Sequence, residues 1–305
     1  MMKKPSTLHL LKGSLFLALF FMASKQTAFS QDCNALFMHK VGSEAELTLY
    51  SPTHMALGKN VTAVTEVKDE DKAHVIKTTN THYTAAGVAN SVSNLTYVCN
   101  DTVTRLFYDN KAIAEKTAHD LEELAAKKGA KGFVYASSSD PIEFPLELKT
   151  GMTLKPYENL SAMAYTVTEK QWKEVGLPKF TNVNNSAGYY DHTNVSRSYV
   201  EQLVDNGIGT GSRMVTTNIQ VGAMESVTVP GGTFNCFKIT AEMYTMTVAK
   251  KETGRWLIGT VTRKFTTPKQ EIVQWFCPGV GTVKQEIHGP DGKIMLTSEL
   301  TKLTN

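Results

Sequence analysis

From residue 44 onward, apolar and polar side chains change places at every second position. Val61, Ala63 and Val67 alternate with Thr62, Glu66 and Lys68 in "VTAVTEVK". Val215, Thr217, Ile219 and Val221 alternate with Met214, Thr216, Asn218 and Gln220. Phe237, Ile239, Ala241 and Met243 alternate with Lys238, Thr240 and Glu242, and Ile294, Leu296 and Leu300 alternate with Thr297 and Glu299. A period of two is what a strand needs when one face is buried and the other wet, so the pattern predicts an antiparallel sheet. Turn residues separate the runs. Gly289-Pro290-Asp291-Gly292 lies between "TVKQEIH" and "KIMLTSEL" and predicts a hairpin, while "AKKETG" and "TTPKQ" mark two further reversals. Roughly the last eighty residues thus read as a meander of about six strands.

One segment has helical spacing. Asn110 can cap "KAIAEKTAHDLEELAAKK", Gly129 follows a basic last turn, and Ile113, Thr117, Leu121, Leu124 and Ala125 share one side. This predicts one amphipathic helix over 111–128, laid on the sheet. "SSSDPIEFP", residues 137–145, reads as a linker between an N-terminal half (31–140) and a C-terminal half (141–305). Residues 170–212 are polar, glycine-rich and irregular. The fold class expected is mainly β: a curved antiparallel sheet or open half-barrel in two halves, with that helix packed on it.

The first thirty residues have the order of a secretory leader. Lys3 and Lys4 precede the apolar run "SLFLALFFMA", and Ala28 and Ser30 place small residues three and one before Gln31. The run is about half of the roughly 20 residues a spanning helix needs, so residues 1–30 are expected to be a cleaved signal peptide and no transmembrane segment is expected after them. Removing Lys3, Lys4, Lys12 and Lys25 takes the formal charge from +3 to −1. The basic balance therefore belongs to the leader, and no nucleic-acid partner is predicted. The protein is expected to be exported, to the periplasm or the cell surface. Four cysteines, Cys33, Cys99, Cys236 and Cys277, lie beyond the leader. In an oxidising compartment they suggest two disulfides; Cys33–Cys99 with Cys236–Cys277 is preferred among three pairings because each then closes one half. None stands in a CxxC pair, which disfavours a thioredoxin-like or zinc-knuckle site.

Motifs of catalysis are missing from the sequence: GxSxG, HExxH and a P-loop do not occur. "GIGTG" at 207–211 has the composition of a phosphate loop without its strand–helix setting. His74 and His82 share a strand face but stand eight residues apart, too far to hold one ion together. Tyr189, Tyr190 and His192 in "YYDHTN" form the candidate ligand or partner loop. Trp172, Trp256 and Trp275 supply apolar surface, for a core or for a concave pocket. Asn60, Asn94, Asn100, Asn159, Asn184 and Asn194 begin N-x-S/T triplets, and Asp101-Thr102-Val103 has the form of a short bacterial O-glycosylation signal at Thr102. No catalytic, cofactor-binding or metal-ligating residue is assigned.

In "VTVPGGTFNCFKIT", Pro230-Gly231-Gly232 predicts a hairpin corner, since proline lacks an N–H and glycine accepts turn angles. Together with "VQWF" and "PGVGTVKQEIHGPDGKIMLTSELTKL", this stretch resembles the exported TapB-like proteins of Gram-negative bacteria, most strongly over residues 213–303. Weaker echoes are "DCNALF" and "YVCNDTV". The resemblance implies an exported β-protein with an open half-barrel similar to periplasmic lipoprotein carriers, and no assigned catalytic residue. The chain departs from the pattern at Cys277 and across 170–212. The function expected is non-catalytic: binding of a lipid-like or other apolar ligand in the concave face of the sheet. The alternative is a cell-envelope structural or interaction module whose partner is an envelope protein.

Overall fold

The computed structural model describes residues 36–70, 73–109, 132–166, 210–252 and 260–304, with single helical positions at 119, 120, 123, 127, 198 and 201. Residues Cys33–Asn305 form one compact unit; the expected leader lies outside the described residues.

Among the described residues, fourteen strands make one sheet. They are β1 (Glu44–Tyr50), β2 (Ala56–Glu70), β3 (Ala73–Thr84), β4 (Ala89–Cys99), β5 (Val103–Asp109), β6 (Gly132–Ser139) and β7 (Ile142–Pro145). Then follow β8 (Tyr157–Thr166), β9 (Thr210–Val229), β10 (Gly232–Glu252), β11 (Thr260–Thr266), β12 (Gln270–Cys277), β13 (Gly281–His288) and β14 (Ile294–Thr304). Neighbours run in the order β6-β8-β9-β10-β12-β13-β14-β1-β2-β3-β4-β5-β7, with β11 paired to β10 off this path. Every strand pair is antiparallel. The period-two pattern thus reports the architecture correctly. In the C-terminal part the meander is interrupted because β10 is long enough to pair twice along one edge, with β12 through Phe237–Met243 and with β11 through Met246–Glu252.

The two halves expected from the sequence share this one sheet, and within 137–145, read as a linker, residues 137–139 and 142–145 are strand. β6 and β7 are the two ends of the path, yet they are consecutive in the chain, joined by Asp140 and Pro141. Pro141 cannot donate a ladder bond, which suits a place where one strand ends and the next begins. Asp140 fixes the corner: its N–H donates to the Glu158 carbonyl at 2.9 Å and its carboxylate accepts from the Glu158 N–H at 3.1 Å. The sheet is therefore curled and open, with its edges brought to a common corner. A strap after β7 follows β9, with Gly151 N–H donating to Val221 (2.7 Å), Val221 to Met152 (2.8 Å) and Leu154 to Ile219 (2.9 Å).

Bulges alter the faces read from the sequence. The β2–β3 register shifts between Val64 and Glu66. Before the shift, Val64, Thr62 and Asn60 face inward, with Val64 buried, whereas Val61 and Ala63 do not line the interior. In β9, Asn218 sits at φ 53°, a conformation that asparagine tolerates better than most residues. The register shifts in that neighbourhood, so Thr216 and Ile219 both face the interior. In β10, Phe237, Ile239 and Ala241 are buried as the alternation predicts.

The core gathers Leu36, Phe37, Val64, Ile76, Phe276, Val283 and Leu300 with residues from most strands. Full burial of one such side chain contributes about 1.5–3 kcal/mol. The β9–β10 corner is a hairpin, as predicted, and it docks onto β14: Gly231 N–H donates to the Leu300 carbonyl at 2.8 Å. The β13–β14 turn is also as expected, with Gly292 at φ 73° donating to the Gly289 carbonyl. The apolar stripe of the helix predicted over 111–128 lies outside the described residues. His119, Asp120, Glu123 and Lys127 are helical and exposed, and Glu123 lies 3.6 Å from His119 and 3.8 Å from Lys127. Among the described residues, no helix is long and apolar enough to cross a membrane.

Candidate functional site

The curl of the sheet brings inward side chains of opposite ends face to face around a cavity of about 310 Å³, within the size range of small-molecule sites. One end of the cavity is aromatic. Phe37, from the segment before β1, packs against Tyr97 of β4 at 4.4 Å between ring centroids. It also meets Phe144 of β7 and Phe276 of β12 edge-on, at 5.4 Å each. Phe144 and Phe276 stack at 5.4 Å. Such pairings add to the apolar burial of the rings themselves, and they link strands that the sheet order places far apart.

Polarity rises away from these rings. Along β3 the residues on the inner face are Ile76, Thr78, Asn80 and His82 in turn; along β2 they are Val64, Thr62 and Asn60. Asn60 Oδ1 accepts a hydrogen bond from His82 Nδ1 at 2.9 Å. Opposite them, Gln274, Gln285 and Ser298 occupy one row across β12, β13 and β14 and also line the cavity. A second hollow of about 620 Å³ shares Tyr108, Tyr157, Thr216, Ile272 and Gln285 with the first.

The lining is close to electrically neutral. Its charged side chains among the described residues are Glu143 and Lys155, which pair at 3.4 Å, while Glu143 also accepts from Arg105 Nε at 3.1 Å. The Arg105 guanidinium, with Lys155, holds the Glu143 carboxyl below its usual pKa. Burial pushes the Tyr97 phenol up, with Tyr108 adding to the effect and Thr78 opposing it. Burial also raises Tyr157, against a hydrogen bond from Thr216 that lowers it. Both phenols are thus neutral hydrogen-bonding groups over the physiological range. Among the described residues no cluster of three metal-ligating side chains occurs.

The sequence-predicted candidates stand elsewhere. Tyr189, Tyr190 and His192 lie outside the described residues, as do Cys33, Trp172 and Trp256. Cys99 is buried at the end of β4 and is disulfide-bonded. Cys236 and Cys277 are buried and free, where the sequence suggested a bridge. They are nevertheless neighbours: Phe237 pairs with Phe276, which sets Cys236 opposite Cys277, and a hydrogen bond joins the two thiols. Burial, reinforced by the adjacent Cys277, pushes the Cys236 thiol up to about 12. Burial also raises Cys277, against the hydrogen bond to Cys236. Trp275 does not line the cavity. It lies on the other face of β12, its Nε1–H donating to Glu225, with Lys284 at 5.0 Å and Lys238 at 5.8 Å from the ring. His74 is occupied with Asp69 at 2.7 Å and His82 with Asn60. Threonine, asparagine and glutamine on a strand read as its wet face, which hides in the sequence the residues that line the site. The one visible signal was β3, where the positions between His74 and His82 grade from Ile76 to Asn80.

A family model described as DUF3108-like matches residues 191–300, a region that includes most of β9 to β14. Two solved structures share the fold. One is described as an exported protein with a YmcC-like fold, from Bacteroides fragilis, and the other as a lipoprotein from Parabacteroides distasonis. Each is 14% identical to this chain at a TM-score of 0.53, over 90% of this chain and 100% of the other. Among curated proteins none matches the chain.

Proposed function

We propose that this protein is an exported, non-catalytic binding protein that holds an apolar or amphipathic, lipid-like molecule inside its curled sheet. The observation that carries the reading is the cavity of about 310 Å³ set against the Phe37, Phe144 and Phe276 rings. A well-packed interior leaves few voids larger than a water molecule. This hollow is partly open to solvent and flanked by a second one, and a bound hydrocarbon would displace its water. The fold-sharing proteins described as exported and as a lipoprotein support placement in the cell envelope, as does the leader-like start of the sequence.

The test is mass spectrometry of organic extracts from protein purified out of the exported fraction of its own host, alongside a thermal-shift screen with single-chain amphiphiles. The proposal expects one class of amphiphile recovered in near-stoichiometric amount, and stabilisation by it. A clean extract, with no stabilisation by any amphiphile, would overturn it and leave the interaction module as the better reading.

A further inference from the structure

Resting on that reading, we infer that the ligand's polar end is uncharged and donates a hydrogen bond: a hydroxyl or amide head rather than a carboxylate or phosphate. The cavity has a direction, with aromatic rings at one end and Asn60, Thr62, Thr78 and Asn80 on adjoining strands towards the other. A chain lying against Phe37 and Phe276 places its head among these neutral side chains.

Charge decides against an anion. The sole cation among the described lining residues is Lys155, already 3.4 Å from Glu143. A carboxylate head would shed its hydration without gaining a free partner. Hydrogen-bonding capacity then favours a donor. Asn80 Oδ1 is buried and has no partner among the described residues. The Thr78 hydroxyl, in a side chain 2% exposed, lines the same cavity beside the Tyr97 phenol, with which it shares a hydrogen bond. Buried polar atoms in folded proteins are nearly always satisfied. Asn80 lines the cavity, and a rotation about χ2, a broad torsion in asparagine, presents its oxygen to it. An oxygen acceptor beside a hydroxyl is met by a group that donates, which an ester or ether alone does not do.

Calorimetric titration of the intact mature protein with three amphiphiles of one chain length tests this: 1-decanoylglycerol, methyl decanoate and sodium decanoate. Binding of the glyceride is expected to be about tenfold tighter than that of the ester, the worth of a satisfied buried donor–acceptor pair, with decanoate weaker than either. Asn80→Leu and Thr78→Val should erase the preference for glyceride over ester. Asn80→Leu should also leave the unliganded protein at least as resistant to urea, because it removes an orphaned polar oxygen. Decanoate binding as tightly as the glyceride, or a preference that survives both substitutions, overturns the inference while leaving the carrier reading intact. Absence of binding by all three counts against the carrier reading itself.

Discussion

Replacing Gly231 with alanine tests how the β9–β10 corner is held to β14. A Cβ at this position would stand 2.9 Å from the Leu300 carbonyl oxygen and 3.1 Å from Leu300 Cγ. Neither neighbour can yield easily. The oxygen is backbone in the β-ladder, and Leu300 is fully buried. The corner must back away, which breaks the 2.8 Å bond from Gly231 N–H to Leu300 and loosens the packing of Val229 and Leu300. Loss of one such hydrogen bond costs about 0.5–1.5 kcal/mol, and a methyl forced into packed surroundings costs about 1–3 kcal/mol. The expected loss is therefore about 1.5–4.5 kcal/mol, read as a lower urea midpoint at unchanged slope. Gly87→Ala is the control: Gly87 has φ 77° and open space where a Cβ would lie, so only the backbone penalty of about 1 kcal/mol is expected. A Gly231→Ala protein within about 0.5 kcal/mol of the parent would refute the docking argument.

Other expectations follow from the same geometry. Phe37→Ala removes the ring that joins Tyr97, Phe144 and Phe276, and should cost about 3–5 kcal/mol in urea unfolding; a loss below about 1 kcal/mol would mean that Phe37 does not tie these strands. Cys236 and Cys277, with raised thiol pKa values, should resist iodoacetamide at pH 8 in the folded protein and react once urea unfolds it; rapid native labelling counted by mass would contradict their burial. Tyr97 has a raised folded-state pKa. Its contribution to stability is therefore full below about pH 10, where the unfolded phenol ionises, and is lost as pH climbs towards the folded value. Urea midpoints measured from pH 8 to 11 should fall at the alkaline end for the parent and fall less for Tyr97→Phe. An identical alkaline decline in the two proteins would remove Tyr97 from the account.

The strands and their antiparallel pairing were legible because burial on one face imposes a period of two on sequence. β10 shows this most cleanly, with Phe237, Ile239 and Ala241 all buried. The turns were legible for a different reason: Gly231, Gly232 and Gly292 occupy positions where a side chain meets either a clash or a positive φ. The cavity was not legible. Its position depends on Phe144 meeting Phe276, a contact between strands remote in both chain and sheet order, and no local pattern encodes it. The bulge at Val64 also reverses the face of β2 that precedes it, and the one near Asn218 turns Thr216 inward while Val215, Ile219 and Val221 stay buried as the alternation predicts. Asn60 and Thr62 consequently read as solvent-facing until the register was known. Cys236 and Cys277, expected to bridge because that pairing closes one half of the chain, do stand opposite each other but as free thiols.

Calorimetric titration of 1-decanoylglycerol into the parent protein and into Ala241→Phe tests the central claim most directly. Ala241 lines the cavity and is buried beneath it, so a phenyl ring there occupies the space assigned to the ligand. The account predicts saturable single-site binding to the parent, with a negative heat-capacity change from apolar burial, and its loss in a folded Ala241→Phe protein. Equal binding by the two proteins, or none by the parent, would contradict it.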